Sequence, residues 1–209
     1  ITTRLVGSEM CIRDRSCMSG KYMAYVGSYS YTGKAKGITV FDVDVENGMF
    51  KERCEIEVDN SSYVIASSDG KTLYSIADEG VVSFRILPNG SLARLNSSSI
   101  RGMRGCHLCT DEEDKYVFVS GYHDGKTTVL NLNPDGSVGK IVDGVFDRGY
   151  GSVAERNFRP HVTCTRRMPD NRFVLSVDNG IDQVKIYRFN DKEQKLVQVD
   201  AILSLIHIS

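Results

Sequence analysis

Hydrophobic and polar residues alternate with a period of two along most of the chain, and no window of helical length carries an apolar stripe. This alternation predicts short strands, and turn sequences such as Asn47-Gly48 and Pro134-Asp135-Gly136 separate them. We predict strands at Tyr22–Ser28, Gly37–Asp44, Tyr63–Ala66, Thr72–Ile76, Val81–Ile86, His107–Thr110, Tyr116–Ser120, Thr127–Leu132, His161–Thr165, Phe173–Val177 and Gln183–Phe189. Many short strands at even spacing indicate an all-β fold.

The predicted strands recur in a fixed order along the chain. A basic residue, Lys71, Lys115 or Arg172, marks the same turn in three successive units, and these residues are 44 and 57 positions apart. The longer interval holds an insertion around residues 145–159. Units of about 40–50 residues with four strands each are typical of propeller blades and not of a sandwich.

The first unit lacks one strand of this repeat. Each blade contains strands A to D, with strand A innermost beside the central channel. When Lys21 is aligned with Lys71, the first unit retains strands B, C and D only. We therefore predict an incomplete β-propeller of four-stranded antiparallel blades, in which the first blade is open and strand edges are exposed.

The two ends of the chain are related at the level of DNA. Glu9 to Arg15 can be encoded by a sequence whose reverse complement translates as Leu203 to Ser209. Inverted copies of one DNA word are typical of a sequencing adapter, and such segments are set aside before the fold is considered. We therefore expect residues 1–17 and 203–209 to be translated adapter, and residues 18–202 to be a propeller domain cut from a longer gene product.

Composition excludes several classes of protein. With 41% hydrophobic and 25% charged residues the chain is neither disordered nor collagen-like, and its net charge of −1 excludes nucleic-acid binding through bulk charge. No stretch is apolar enough to span a bilayer, and no apolar signal core follows Met18. The cysteines from Cys17 onward are odd in number and irregularly spaced. We expect a cytoplasmic protein with reduced thiols and with neither nucleic-acid nor membrane partners.

Three histidines are candidates for chemistry. His107 and His161 each begin a predicted strand A, so we expect them at equivalent positions at one mouth of the channel. His123 lies in a turn between strands B and C, which places it on the same rim. The alternative for each histidine is a hydrogen-bonded structural residue, and this alternative stays open.

The insertion before His161 is a second candidate feature. A long loop that leads into an inner strand lies over the channel, and long loops are often functional. In this loop Arg156 has the planar donor group that binds a carboxylate, a phosphate or a developing oxyanion, and Glu155 can act as a general base or orient a histidine. The alternative is a surface loop with ordinary solvated charges.

Several motifs together resemble a known family. They are Tyr25-Val26-Gly27-Ser28-Tyr29, Cys106-His107-Leu108, Arg156-Asn157-Phe158-Arg159-Pro160-His161 and Val177-Asp178-Asn179-Gly180-Ile181-Asp182. With these motifs, residues 21–199 resemble the lactonase family of seven-bladed propellers, the 6-phosphogluconolactonase-like enzymes that include fungal carboxymuconate cyclases. The resemblance implies that the chain holds about three and a half blades of seven.

The resemblance also implies roles for particular residues. It places His107, Arg156 and His161 in the active site, and Asp178 and Asp182 at frequent family positions beside the substrate. The chain departs from the family at Thr163 and Asn157, where histidine and glutamine are usual.

Two further patterns are weaker. Cys106 and Cys109 have zinc-knuckle spacing, but residues i and i+3 of a strand face opposite sides, which favours structural thiols. A basic rim for a phosphorylated sugar acid is a hypothesis for Arg104 and its companions Arg101, Arg166 and Arg167. We expect Arg104 and His123 to contact substrate.

Taken with the resemblance, these residues predict hydrolysis of a sugar-acid lactone of the 6-phosphogluconolactone type. A water deprotonated by His161 or His107, with help from Glu155, attacks the ester while Arg156 holds the anion or the oxyanion. We expect a small-molecule lactone as the partner, no metal or cofactor, a monomer at full length and no activity in the fragment alone. The alternatives are a carboxymuconate-type cyclase that forms the lactone, and a propeller that only binds.

Overall fold

The computed structural model describes residues 22–151 and 158–203, and their regular structure consists of β-strands. The first two sheets are formed by β1 (Tyr22–Gly27), β2 (Gly37–Asp44) and β3 (Met49–Glu57), and by β4 (Val64–Ala66), β5 (Thr72–Ala77), β6 (Gly80–Ile86) and β7 (Leu92–Ser99). The next two are formed by β8 (His107–Thr110), β9 (Tyr116–Gly121), β10 (Lys126–Leu132) and β11 (Val138–Phe146), and by β12 (Val162–Arg167), β13 (Phe173–Asp178), β14 (Gln183–Asn190) and β15 (Lys195–Leu203). Among the described residues no helix has the length and hydropathy needed to cross a bilayer.

Each sheet is an antiparallel meander whose strands lie in chain order. The first sheet has three strands and the other three have four. This arrangement confirms the predicted all-β, incomplete propeller and its open first blade. We refer to the sheets as blades 1 to 4 in chain order.

The strands lengthen from the inner to the outer edge of a blade. The inner strands β4, β8 and β12 have 3, 4 and 6 residues, whereas the outer strands β3, β7, β11 and β15 have 8 or 9. The outer strands β3 and β15 are largely exposed on both faces, and β7 and β11 are mostly half-buried, so their residues do not alternate clearly between apolar and polar. For this reason the sequence pattern predicted that outer strands exist but did not fix their bounds.

The core lies between the blades because side chains alternate across each strand. In β9, Val117 and Val119 point to blade 2, where they pack with Tyr74 and Ile76. The alternate residues Tyr116 and Phe118 point to blade 4 and pack with Val174, Tyr187 and Phe189. One strand therefore supplies two apolar interfaces.

Buried hydroxyl groups also join blades 3 and 4. Ser120 Oγ donates to Thr165 Oγ1 at 2.8 Å, and the hydroxyls of Thr127 and Ser176 are 3.1 Å apart. These polar groups are fully buried, so each needs its partner across the interface. The pairs fix the relative height of the two sheets, which in turn fixes the turns at their ends.

The interface between blades 3 and 4 gives the first prediction. Phe118 is 0% exposed and its ring centroid lies 5.5 Å from that of Phe189 in an edge-to-face pair. We expect Phe118→Ala to lower the free energy of unfolding by about 3–5 kcal/mol, because it leaves a cavity between two sheets. Phe50→Ala is the matched control, since Phe50 lies on the outer strand β3, where its ring pairs with that of Phe41 on β2, but is 55% exposed. Urea denaturation that gives equal losses for the two variants would contradict this assignment of the core.

Candidate active site

One end of the sheets, which we call the upper rim, holds five of the predicted site residues: Arg104, His123, His161, Asp178 and Asp182. It is formed by the connections between blades and by the turns between the second and third strand of each blade. These segments are residues 28–36, 58–63, 78–79, 100–106, 122–125, 147–151, 158–161 and 179–182.

The backbone of His161 is held by the turn that follows β13. Its N–H donates to Asp178 Oδ1 at 2.8 Å, and its carbonyl accepts from Asn179 N–H at 2.9 Å. The same Asp178 oxygen accepts from the N–H groups of Gly180 and Ile181. Asp178 is 1% exposed, so in this structure it shapes the turn and does not face a solute as the resemblance implied.

Gly180 allows this turn to approach the histidine closely. A Cβ at this position would lie 2.0 Å from the carbonyl oxygen of Arg159 and 2.9 Å from Cδ2 of His161. Any side chain would therefore displace the segment that carries the imidazole.

The ring of His161 is held by Tyr122 of the neighbouring blade. Nδ1 lies 2.7 Å from the carbonyl oxygen of Tyr122, and the two rings stack with their centroids 4.3 Å apart and an angle of 14° between their planes. A carbonyl oxygen only accepts hydrogen bonds, so Nδ1 carries the proton. No described residue forms a hydrogen bond with Nε2 of His161, and the residue as a whole is 8% exposed.

His107 does not occupy the position equivalent to His161, and this prediction was wrong. His107 lies opposite Ser120, the fifth residue of β9, whereas Val177, the fifth residue of β13, lies opposite Cys164. Cys164 is therefore the counterpart of His107. His161 precedes Cys164 by three residues, which corresponds to about 10 Å along a strand towards the upper rim.

The contacts of His107 are those of a packed residue between inner strands. Its ring lies 4.7 Å from the ring of Tyr63, Nε2 is 3.6 Å from Cys164 Sγ, and Nδ1 accepts from Thr165 N–H at 3.5 Å. Burial, and to a lesser degree the charge of Arg166, lowers the pKa of His107 to about 4. Within the described part of the chain, no hydrogen bond or ring contact joins His107 to His161.

Arg104 belongs to a second cluster on the upper rim, which we call the arginine cluster. Its Nη1 donates to Asp78 Oδ1 at 2.9 Å, and its guanidinium lies 4.9 Å from the ring centroid of Tyr29. Asn60 donates from Nδ2 to both oxygens of Asp78, at 3.0 and 2.8 Å. The cluster holds one partly exposed cation at the rim of blades 1 and 2.

The remaining predicted residues lie in different places. His123 is exposed, with its ring edge-to-face to Tyr122 at 5.4 Å. Asp182 is buried in the turn after β13 and has a φ of 55°. Arg156 and Glu155 fall outside the described residues.

The basic rim predicted from four arginines is not formed. Arg166 and Arg167 lie at the opposite end of β12 from His161, because the strand runs the full height of the blade. The Arg167 side chain is 3% exposed and stacks over Phe118 and Phe189. A cavity of about 280 Å³ lies at that lower end, lined by Asp111, Glu113, Lys115, Tyr116, Arg167, Asn171 and Asp191.

A buried polar network behind Asp178 was not predicted. Asp147 Oδ1 accepts from Lys185 Nζ at 3.1 Å and from the Tyr187 hydroxyl at 2.9 Å. Burial, together with the adjacent carboxyl group of Asp178, raises the pKa of Asp147. The network supports the turn that holds His161, but Asp147 lies in a loop far along the chain from Lys185 and Tyr187 of β14, so no sequence motif marks it.

The cysteines and acidic residues do not form a metal centre in the described ranges. Across residues 22–151 and 158–203, no group of three or more His, Cys, Asp or Glu side chains is placed to hold a metal ion. Cys106 donates to the carbonyl oxygen of Val162, and burial raises the pKa of its thiol to about 11. Cys109 is packed in the core between blades 3 and 4.

The chain is similar to lactonases with a seven-bladed propeller fold. A family model described as Lactonase, 7-bladed beta-propeller, matches residues 23–205. The 6-phosphogluconolactonase of Bacillus subtilis (strain 168) is 33% identical over 177 residues, which are 82% of this chain and 50% of the relative. The chain thus spans about half the length of the curated relatives that it matches.

Solved structures show the same architecture. A Bacteroides fragilis protein described as a candidate 6-phosphogluconolactonase superposes with a TM-score of 0.82 at 30% identity, over 91% of this chain and 56% of that chain. The periplasmic gluconolactonase of Pseudomonas aeruginosa superposes with a TM-score of 0.79 at 24% identity, over 86% and 55% of the two chains. At that identity the second likeness shows a shared fold only.

The buried state of His107 gives the second prediction. Its pKa in the folded protein is about 4, below the ordinary value of 6.5, so the unfolded chain takes up the proton first as the pH falls. Neutral His107 therefore makes a contribution of about 3 kcal/mol to the free energy of unfolding. This contribution is present above pH 6.5 and is lost as the pH falls from 6.5 to 4. We expect His107→Gln to flatten the pH dependence of the unfolding free energy in this range.

The matched control for this prediction is His123→Gln, since His123 is exposed. It is expected to retain the pH dependence of the unaltered protein. Denaturant titrations at pH 4 to 7 give the unfolding free energy at each pH. If this free energy changes with pH equally in the His107 variant and in the unaltered protein, the imidazole of His107 is solvated in the folded state.

Proposed function

Because the chain belongs to the lactonase family of seven-bladed β-propellers, we propose that the whole protein hydrolyses sugar-acid lactones of the 6-phosphogluconolactone type. The observation that carries this proposal is the geometry of His161. The backbone N–H and carbonyl of His161 and its Nδ1 are hydrogen-bonded, whereas the other nitrogen of its ring, Nε2, has no hydrogen-bond partner among the described residues. An imidazole held in this way is suited to take a proton from water.

The proposed reaction needs one proton to move twice. His161 Nε2 takes a proton from a water molecule as the water oxygen bonds to the ester carbonyl carbon, which gives a tetrahedral oxyanion. When the carbon–oxygen bond of the ring breaks, the imidazolium returns the proton to the leaving ring oxygen. The products are a carboxylic acid and a hydroxyl group of the opened sugar acid, so water is the only co-reactant.

Charge at the upper rim would orient the anionic substrate. Arg104 is partly exposed and its position is fixed by Asp78 and by the ring of Tyr29. A guanidinium fixed in this way can donate two hydrogen bonds to a phosphate or a carboxylate. We assign stabilisation of the oxyanion to Arg156, as the sequence predicted. We assign to Glu155 the predicted role of assisting His161 as the base.

The third prediction tests the base. In the product of the complete gene, we expect His161→Gln to lower kcat for 6-phosphogluconolactone by about 100-fold or more and to change KM by less than about threefold, because glutamine binds but does not take up the proton. His107→Gln is the matched control, since His107 is packed between the inner strands. A titrimetric assay of acid release measures both variants.

Three results of this assay would count against the proposal. A normal kcat in the His161 variant would exclude it as the base. Loss of activity in the His107 variant alone would transfer that role to His107. If the unaltered protein opens neither phosphorylated nor unphosphorylated lactones, a binding role or the reverse, lactone-forming reaction would replace hydrolysis.

The fourth prediction concerns the anion site. We expect Arg104→Gln to raise KM for the phosphorylated lactone by about tenfold, with a much smaller change for the unphosphorylated analogue, because one charged hydrogen-bond donor is lost. Arg188→Gln is the control, since Arg188 also lies over an aromatic ring, that of Phe173 at 6.0 Å, but is on β14 away from the rim. If Arg104→Gln raises KM equally for the phosphorylated and the unphosphorylated lactone, Arg104 acts through the fold and not on the phosphate.

A further inference from the structure

The turn that carries Tyr122 is braced on two sides. Asp124 Oδ2 accepts from Met103 N–H at 3.0 Å, which ties residues 122–125 to the connection before β8. The carbonyl of Gly125 accepts from Asp147 N–H at 2.8 Å, which ties the same turn to the end of β11. The carbonyl of Tyr122 is therefore a fixed acceptor.

The same turn also packs tightly against the residue before His161. A Cβ on Gly125, whose φ is +60°, would lie 2.6 Å from Cβ of Pro160. The close approach brings two blades together at one point, so the carbonyl and ring of Tyr122 both reach the imidazole. Tyr122 is 39% exposed as a residue, and it does not belong to the hydrophobic core clusters.

The structure gives His161 and His107 opposite tautomers. The partner of His161 Nδ1 is an acceptor, the carbonyl of Tyr122, so in the neutral form of the imidazole this nitrogen carries the proton and Nε2 does not. The partner of His107 Nδ1 is a donor, the N–H of Thr165, so the proton of His107 is on Nε2, which faces Cys164 Sγ. Neutral histidine in water favours the Nε2-protonated form, so His161 is held in the less common tautomer.

We propose that Tyr122 is a positioning residue for the reaction: its ring clamps the His161 imidazole against its own carbonyl and so keeps Nε2 unprotonated. This inference rests on the proposed function, in which Nε2 takes the proton from water. Without the ring, the imidazole turns away from the carbonyl, the common tautomer returns and the proton occupies the atom that must accept one. The stack also places an aromatic face beside the imidazolium that forms during the reaction, where it stabilises positive charge.

The experiment compares Tyr122→Ala, Tyr122→Phe and the unaltered complete gene product, each labelled with ¹⁵N in the histidine ring. Long-range ¹H–¹⁵N spectra report which ring nitrogen carries the proton, and single substitutions of His161 and His107 assign the signals. We expect an Nδ1–H pattern for His161 in the unaltered protein and in Tyr122→Phe. We expect Nε2–H in Tyr122→Ala, while His107 shows Nε2–H in all three proteins as an internal reference.

Kinetics supply the second measurement. We expect Tyr122→Ala to lower kcat for the phosphorylated lactone by about 10- to 100-fold with KM nearly unchanged, and Tyr122→Phe to recover most of the loss, because the ring and not its hydroxyl holds the imidazole. Phe50→Ala, on outer strand β3, controls for loss of an exposed aromatic ring.

The spectra and the kinetics separate the two hypotheses. An Nε2–H pattern for His161 in the unaltered protein, an unchanged tautomer in Tyr122→Ala, or a changed tautomer with an unchanged kcat would each overturn the role of Tyr122. If the unaltered protein hydrolyses no lactone, the proposed function fails and the catalytic role of Tyr122 fails with it, whereas the tautomer spectra still decide whether the ring holds the imidazole.

Discussion

Each blade must bury two apolar faces, and it can do so only between two other blades. The constraint follows from the alternation of side chains along a strand, which sends Val117 and Val119 of β9 to one neighbour and Tyr116 and Phe118 to the other. Radial packing of the sheets satisfies this requirement. It also brings turns of successive blades together at one rim, so residues distant in sequence become partners there.

The pair formed by Tyr122 and His161 is a direct result of that packing. The two residues belong to blades 3 and 4, and their contact requires the sheets to have the correct relative height. The buried hydroxyl pair of Ser120 and Thr165 fixes this height just below the rim. Asp178 then uses one buried oxygen to hold His161 and the following turn together. The apolar core, the buried hydroxyl pairs and the proposed base thus all lie at the interface between blades 3 and 4.

The sequence predicted the fold better than the site, and the reason is physical. Strands at the inner and middle positions are buried on one or both faces. Their apolar residues therefore recur at regular positions, which show where each strand begins and ends. Outer strands such as β3 and β15 are exposed on both faces and leave no such pattern. The open first blade was predicted because the repeat itself shows which strand is missing.

Within the site, the sequence positions of the two histidines did not predict where their side chains lie in the structure. His107 and His161 were both predicted to begin strand A, but His161 lies three residues before Cys164, the counterpart of His107, and is therefore nearer the rim. The result is one neutral, packed imidazole and one whose Nε2 has no partner in the described ranges. The contact of Tyr122 with His161 was missed because the ring and the carbonyl of Tyr122 reach the imidazole across the interface between two blades, and no sequence motif marks such a contact. The network of Asp147, Lys185 and Tyr187 was missed since it forms only after the sheets pack.

The proposed function requires the reacting ester to lie at the upper rim beside His161. A crystal structure of the complete gene product with a non-hydrolysable lactone analogue tests it most directly. We expect one water molecule between Nε2 and the carbonyl carbon of the analogue, with a hydrogen bond of about 2.6–3.2 Å from the water to Nε2. An analogue bound instead in the lower cavity beside Arg167 and Asp111, with His161 far from its carbonyl, would contradict this placement of the ester.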